Sequence, residues 1–211
     1  MDRTGIFSEM IAMIVKQLKF GGDNFIYLLG CETTRKACVI DTLASTDRII
    51  HTARQNNLTI EQIIHTHGHY DHVAGSEELK KRTGAKIIMH ELDAKRVDYV
   101  DIRLKDEKEI IVGDLKLRAI HTPGHTPGGI CLYAEGQLFT GDTLFVGDSG
   151  RTDLPGGHRP TLGASIRKLM TLPDETIVWP GHDYGPTSSS TIGWEKKNNV
   201  NAKEYGFFIE S

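Results

Sequence analysis

The sequence is poor in cysteine and has no strong excess of charge, and both shortages limit what the protein can be. Its three cysteines, Cys31, Cys38 and Cys131, form no CxxC pair and leave an odd thiol. This usage argues against a disulfide framework and indicates a reducing compartment. The 25 basic residues against 28 acidic ones give a net charge of −3, which predicts neither nucleic acid nor an anionic membrane as a partner.

A long apolar run is also missing. The stretch from Met10 to Val15 is too short for a signal peptide or a membrane span, so we expect a cytoplasmic protein. The 211 residues fit a single domain, 1–211, with a sizeable core.

The first half of the chain predicts alternating strands and helices, and the second half predicts mostly strands. The elements expected in the first half are strands near 16–20, 24–29, 37–42, 60–65 and 85–90, a helix that Ser45 or Thr46 caps and that runs to about Asn56, and helices near 76–82 and 93–98. Those expected in the second half are strands near 109–112, 115–121, 129–134, 137–142 and 176–180 and helices near 161–171 and 191–199. Two such halves predict an α/β fold, a four-layer αββα sandwich with loops gathered at the strand ends. The apolar tail predicts that Phe207 or Phe208 packs on the rest of the chain.

The segment HTHGHYDH, residues 65–72, places four histidines and one aspartate directly after a predicted buried strand. In extended backbone, residues two apart face the same way, so His67 and His69 can converge on one metal ion. Asp71 and His72 follow a turn and point toward a second ion. The alternative, a weak adventitious metal binder, does not explain the later segments.

Three later segments supply the remaining ligands. His125 in HTPGHTPGG completes the first ion, and His182 in WPGHDYG completes the second with Asp71 and His72. Asp142 in FTGDTLF has two carboxylate oxygens with which to bridge both ions. Neutral imidazoles on a divalent ion with an open position are typical of a catalytic site.

The remaining histidines are interpreted differently. His65 and His121 each stand next to a motif at a strand end, and we favour packing or support of the ligands over metal binding. The ones interpreted as ordinary surface or structural residues are His51, His90 and His158.

Two divalent ions about 3.5 to 4 Å apart lower the pKa of a shared water and polarise a carbonyl, so the expected reaction is hydrolysis through a metal-bound hydroxide. Asp71 would be catalytic as well as a ligand, because it could orient that hydroxide. No general acid stands out, which favours a thiolate leaving group, since a thiol has a pKa near 8.5. Zinc is the favoured metal, with iron or manganese as alternatives.

These residues match, position by position, the signature of the metallo-β-lactamase superfamily: an HxHxDH run, then a GH, a GD and another GH. The resemblance covers nearly the whole chain, from the opening strands with their Asp41 to the loop of His182.

The stretch GDTLFVGDSGRTDLPGG resembles a loop of small hydroxyacylglutathione hydrolases, which are glyoxalase II-like, and of persulfide dioxygenases. The resemblance implies that Arg151 attracts a carboxylate of a glutathione-like substrate; the alternative is that Arg151 and Asp153 only staple the loop. We therefore expect a hydrolase of small thioesters or esters such as hydroxyacyl-glutathione, with the oligomeric state left open.

The main rival is a persulfide dioxygenase, a mononuclear iron enzyme. Its two-histidine, one-carboxylate site needs only His67, His125 and Asp142, so the motif does not separate the two chemistries.

Overall fold

The computed structural model describes residues 12–43 and 46–208, and its strands form two six-stranded sheets and a short hairpin. The first sheet has the order β1-β2-β3-β4-β5-β6. Its strands are β1 (Met13–Phe20), β2 (Asn24–Cys31), β3 (Lys36–Ile40), β4 (Thr59–Ile64), β5 (Lys86–His90) and β6 (Ile102–Leu104). Strands β1 to β3 form the predicted antiparallel meander, and β3 to β6 are parallel.

The second sheet has the order β14-β13-β10-β9-β8-β7. Its strands are β7 (Glu109–Val112), β8 (Leu115–His121), β9 (Ile130–Ala134), β10 (Gln137–Gly141), β13 (Ile177–Pro180) and β14 (Ser190–Thr191). The hairpin between β10 and β13 consists of β11 (Leu144–Phe145) and β12 (Asp148–Ser149). Strand β10 is parallel to β13, and β9 is antiparallel to both β8 and β10, so β8, β10 and β13 run in the same direction.

The inner faces of the two sheets pack on each other and form the main core. Tyr27 of β2 shows the contact: its ring meets Phe139 of β10 edge-on at 5.1 Å, and its hydroxyl donates to the carbonyl oxygen of Pro180 at 2.6 Å. Strand β2 is buried along its whole length, because it is covered on both faces.

Helices cover the outer faces of both sheets. The helices of the described residues are α1 (Thr46–Gln55), α2 (Tyr70–Val73), α3 (Ser76–Thr83), α4 (Arg159–Leu169), α5 (Ile192–Asn198) and α6 (Ala202–Tyr205). Ile49 and Leu79 of α1 and α3 pack on the first sheet, and Leu162 and Ile192 of α4 and α5 pack on the second. The order of layers is helix, sheet, sheet, helix, and the predicted αββα sandwich is confirmed.

The differences from the sequence-based expectations are short elements. The helix expected near 93–98 is one 3-10 turn, Ala94–Arg96, because Val97 takes up an extended backbone with φ −136° and ψ 113°. Strands β6, β11, β12 and β14 and helices α2 and α6 were not predicted, since elements of two to four residues carry too little periodicity.

Two expectations concern the ends of elements. Ser45, one of the two predicted caps of α1, lies outside the described residues, and the helix begins at Thr46. Phe207 is buried in the outer core of the second sheet, whereas Phe208 is partly exposed with the Lys203 ammonium 5.0 Å from its ring centre. The predicted packing of the tail is therefore confirmed for Phe207.

Among the described residues, no helix has the length and apolar character needed to span a bilayer.

Candidate metal centre

The seven predicted ligands meet at one edge of the sandwich, where strands end. Segment 65–72 follows β4 in the first sheet. The loops of His125, Asp142 and His182 follow β8, β10 and β13, which run in the same direction in the second sheet. The ligand atoms form three overlapping sets, and within each set all atoms lie within 4.8 Å of one another. The first group is His67, His69 and His125, and the second group is Asp71, His72 and His182. The third set, His67, His72 and Asp142, links these two groups.

Three imidazole nitrogens converge in the first group. His69 Nδ1 lies 3.1 Å from His67 Nε2 and 2.9 Å from His125 Nε2. Nitrogens bound at 2.0–2.1 Å to one tetrahedral ion are about 3.3 Å apart, so this spacing suits a single ion.

The second group combines two imidazoles with a carboxylate. His72 Nε2 and His182 Nε2 are 3.2 Å apart, and each lies 3.4 Å from Asp71 Oδ2. Asp71 and His72 lie in the short helix α2, which begins directly after the extended His69. The helical turn thus redirects the chain from the first group to the second.

Asp142 lies between the two groups. Its Oδ1 is 3.3 Å from His72 Nε2, and its Oδ2 is 3.5 Å from His125 Nε2 and 3.4 Å from His182 Nε2. One buried carboxylate therefore faces imidazoles of both groups, which is the position expected of a bridging ligand.

Glycines precede the ligands of the second sheet for steric reasons. Gly141, before Asp142, has φ +47°, and a Cβ there would lie 2.4 Å from Thr66 Oγ1. Gly124, before His125, has φ +133°, and a Cβ would lie 2.3 Å from the backbone nitrogen of Leu162. The chain passes too close to Thr66 and Leu162 for a side chain at positions 141 and 124, which explains the glycine that precedes Asp142 and His125.

A buried carboxylate orients the second group from behind. Asp41 Oδ2 accepts from His72 Nδ1 at 2.9 Å, which leaves His72 Nε2 directed at the ligand cluster. Both oxygens of Asp41 also accept from Thr66, one from its backbone N–H at 2.8 Å and one from its hydroxyl at 2.7 Å. Asp41 thus ties the segment of the ligands to the end of β3.

A backbone carbonyl orients the first group. His125 Nδ1 donates to the carbonyl oxygen of Arg151 at 2.7 Å, so its Nε2 is free to bind a metal. His67 Nδ1 lies 3.1 Å from the Thr66 hydroxyl, which already donates to Asp41 and can accept from the imidazole.

Asp93 holds two ligand loops together. This aspartate is fully buried, and its Oδ2 accepts from the N–H of Gly68, between His67 and His69, at 2.9 Å. Its Oδ1 accepts from the N–H of Gly128, three residues after His125, at 2.7 Å. One side chain therefore fixes the spacing between the two loops that form the first group.

The two groups differ in their affinity for protons. Burial lowers the pKa of His67 well below its usual range, and the neighbouring imidazoles act in the same direction; burial also lowers the pKa of His69. Burial opposes protonation of His72 and His182 as well, but carboxylates outweigh it, so the pKa of His72 is well above its usual range and that of His182 is about 9. His67 and His69 of the first group therefore offer neutral imidazoles, whereas the second group attracts positive charge.

The cluster fits divalent cations by its own chemistry. Asp142 Oδ1 is buried and has no hydrogen-bond partner among the described residues, although an unsatisfied buried polar atom costs about 1–3 kcal/mol. Imidazoles combined with carboxylates suit zinc, iron or manganese. A cation beside Asp142 would remove this deficit.

Two exposed tyrosines adjoin ligands of the metal centre, one in space and one in the sequence. Tyr184 stacks on the His182 ring at 4.8 Å and is 57% exposed, and Tyr70, between His69 and Asp71, is 81% exposed. Arg151 is exposed too, but its guanidinium donates twice to Asp153, at 2.6 Å each. This is the contact that the loop-staple interpretation expects.

The other histidines lie outside the three ligand groups. His65 is buried, and its Nε2 lies 2.7 Å from the Ser76 hydroxyl. His121 donates from Nε2 to the Pro127 carbonyl at 2.9 Å and stacks on His90 at 4.2 Å. His90 is therefore buried and structural, while His51 and His158 are exposed.

Sequence reasoning did not assign roles to Asp93 or to Asn24, whose Nδ2 donates to Asp71 Oδ2 at 3.1 Å. Asp93 follows the end of β5, the parallel neighbour of β4, and an acidic residue at that edge was a usable signal. Asn24 opens β2 and carried no signal of its own.

Comparison with known proteins identifies relatives along most of the chain. Residues 20–182 match the family model of the metallo-beta-lactamase superfamily. The curated hydroxyacylglutathione hydrolase of Rhodospirillum rubrum is 38% identical over 177 residues, which are 83% of this chain and 68% of that protein.

Two solved structures carry the same fold. ETHE1 from Myxococcus xanthus superposes with a TM-score of 0.83 at 34% identity, over 93% of this chain and 88% of that one. TTHA1623 in a di-iron-bound form superposes with a TM-score of 0.73 at 30% identity, over 89% of this chain and 98% of that one.

Proposed function

Since this chain belongs to the metallo-beta-lactamase superfamily, we propose that it is a hydrolase that uses two divalent metal ions to cleave small thioesters, such as a hydroxyacyl-glutathione. The observation that carries the proposal is the position of Asp142, whose carboxylate faces imidazoles of two separate ligand groups. A single-ion site would not need the second group. The relationship to curated hydroxyacylglutathione hydrolases supports the thioester as substrate.

We assign the ligands as the sequence predicts. His67, His69 and His125 would hold one ion, Asp71, His72 and His182 would hold the other, and Asp142 would bridge them. When bound, two such ions supply an activated water and a Lewis acid for the carbonyl oxygen. TTHA1623, which is known in a di-iron-bound form, supports iron beside zinc as a candidate metal.

Asp71 has the properties of an orienting acceptor. Hydrogen bonds from His182 and His72 hold the pKa of its carboxyl well below its usual range, so it is ionised at neutral pH. Its side chain remains 44% exposed, so it is accessible to solvent. It can therefore accept a hydrogen bond from an attacking water as well as bind metal.

The walls of the opening suit a thioester with a large thiol part. Tyr184 offers an exposed aromatic face that stacks on His182, and Phe145 packs edge-on against both of these rings. A thiolate leaves without protonation near neutral pH more readily than an alkoxide, because the pKa of a thiol is about 8.5. The proposed substrate thus does not require a general acid.

The second candidate is a persulfide dioxygenase with one iron, because the loop that follows Asp142 resembles that of persulfide dioxygenases as well as that of hydroxyacylglutathione hydrolases. That activity would use only His67, His125 and Asp142, a two-histidine, one-carboxylate set. His69 and the second group would then be present without binding a second ion.

The test is the metal content of the purified protein together with anaerobic cleavage of a lactoylglutathione thioester. The proposal expects about two metals per chain and thiol release without oxygen. One iron per chain, no cleavage, and oxygen uptake only on addition of a persulfide would establish the dioxygenase instead.

A further inference from the structure

Two arginines contact loops of the first ligand group, and their guanidinium groups differ in their partners: the Arg151 carbonyl accepts from His125, and the Arg96 side chain lies beside Gly68. Arg151 forms a two-pronged ion pair with Asp153, two residues away in the same loop. Arg96 forms no salt bridge within residues 12–43 and 46–208, and its guanidinium donates to a backbone carbonyl instead. Asp93, the N-cap of the 3-10 turn, accepts from backbone N–H groups with both carboxylate oxygens.

The Arg96 side chain lies against the loop of the first ligand group. A Cβ built on Gly68 would lie 3.4 Å from Arg96 Cδ, so the aliphatic part of the arginine packs beside the backbone that joins His67 to His69.

The guanidinium of Arg96 is fixed at its far end. Its Nη2 donates to the Pro155 carbonyl at 3.1 Å, and a Cβ at Gly156 would lie 3.2 Å from the same nitrogen and 2.9 Å from Pro127 Cδ. Gly156 has φ +95° and leaves room for the guanidinium between two loops. A guanidinium has five N–H donors. Among the described residues only the Pro155 carbonyl accepts from that of Arg96, so its remaining donors are available to a ligand.

We propose that Arg96, and not Arg151, receives a carboxylate of the thiol part of the substrate. This inference rests on the proposed thioester hydrolysis for the identity of the substrate, but it concerns anion binding beside the first ligand group. A positioned guanidinium with free donors binds a carboxylate through charge-assisted hydrogen bonds, whereas Arg151 would first have to release Asp153.

The experiment measures binding to the metal-loaded protein by titration calorimetry. The probes are S-methylglutathione, a thioether that cannot be hydrolysed, and its diester, which lacks the carboxylate charges. We expect the diacid to bind roughly tenfold more tightly than the diester to the unaltered protein, and Arg96→Gln to remove most of this preference.

Three further variants sharpen the result. Lys95→Gln removes the same charge one residue away on the exposed face of the turn, and it should keep the preference. Arg151→Gln should keep it too, because Arg151 is already paired. Arg96→Lys should restore part of the preference and guards against loss of folding in Arg96→Gln.

The outcomes separate this inference from the proposed function. Equal binding of diacid and diester to the unaltered protein, an undiminished preference in Arg96→Gln, or loss of the preference in Arg151→Gln alone would each overturn the role of Arg96. If the unaltered protein cleaves no thioester but Arg96→Gln still loses the preference, the proposed reaction fails and the anion site stands. In steady state, Arg96→Gln should raise KM for a glutathione thioester about tenfold and leave kcat nearly unchanged.

Discussion

Two buried polar clusters of this protein invite comparison, because each is organised around a carboxylate. One is the metal-ligand cluster around Asp142. The other, here called the Glu195 cluster, consists of Glu195, Ser190, Asn199 and the backbone N–H of Gly147, and it joins α5 to β14 and to the hairpin of β11 and β12. Both carboxylates are withdrawn from water.

The clusters differ in how their oxygens are satisfied. The Ser190 hydroxyl, the Asn199 amide at 2.7 Å and the Gly147 N–H donate to Glu195, so protein groups meet the needs of both oxygens. Asp142 faces imidazoles, and its Oδ1 has no hydrogen-bond partner in the described part of the chain. Both carboxylates are buried, so burial does not distinguish them. The number of hydrogen bonds that protein groups donate to the carboxylate separates the structural Glu195 from Asp142, which is suited to bind a cation.

The largest expected effect follows from removing the Asp142 carboxylate. Asp142→Ala should lower thioester hydrolysis by about a thousandfold or more, since the bridge contributes several kcal/mol through the metals it holds. Bound metal, measured by elemental analysis, should fall below two per chain. Activity retained at the original level would refute the assignment of Asp142 and erase the distinction between the clusters.

Glu195→Ala should have the opposite profile. The change leaves the Gly147 N–H and the Asn199 amide without an acceptor, and we expect a loss of about 3 kcal/mol in the free energy of unfolding. Activity per folded molecule and metal content should stay within twofold. Urea denaturation monitored by circular dichroism gives the first quantity, and Glu195→Gln, which keeps one carbonyl acceptor, should lose less.

A loss of metal in Glu195→Ala as large as that in Asp142→Ala would show that the two clusters are coupled and that donor supply does not separate them.

The metal-ligand side of this contrast could be predicted from the sequence, whereas the Glu195 cluster was not predicted. The ligands lie in short motifs that follow predicted strand ends. Core packing does not require four histidines in eight residues, so residues 65–72 could be identified as a metal-binding segment from the sequence. The layers followed from the alternation of apolar residues in elements such as β2 and α1.

Other features were beyond the sequence because they depend on distant backbone. Asp93 acts on N–H groups of Gly68 and Gly128, and a single acid after a strand has no pattern that names such partners. Both interpretations of Arg151 were compatible with its motif, and only the side-chain geometry shows that Asp153 occupies its guanidinium. Position in space, not residue type, decided these cases.

Asp93 is an intermediate case that sharpens the comparison. Like Glu195 it is a buried carboxylate satisfied by protein donors, but its donors belong to the ligand loops. Asp93→Ala should therefore weaken metal binding by about 10- to 100-fold, the range found when groups that orient ligands are removed. Competition with a chelator measures this loss.

The matched control for Asp93→Ala is Asp101→Ala, because Asp101 also accepts from a backbone N–H, that of Ile87, but contacts no ligand loop in the described residues. Unchanged metal affinity in Asp93→Ala would show that Asp93, like Glu195, has only a structural role.

The smallest effect concerns pH, and it should have opposite signs in the two clusters. Burial raises the pKa of Glu195 above its usual value of 4.5, despite the donors around it, whereas the imidazoles near Asp142 lower the pKa of that carboxyl although burial opposes them. The folded protein thus binds the Glu195 proton more tightly than the unfolded chain does, so this contribution to stability is complete below pH 4.5 and is lost as pH rises through the folded pKa. Glu195→Gln cannot ionise, and the stability of the unaltered protein relative to it should fall over this range in urea titrations. If the stability of the unaltered protein relative to Glu195→Gln rises with pH, the donors stabilise ionised Glu195. The pKa of Glu195 would then be lowered, as that of Asp142 is.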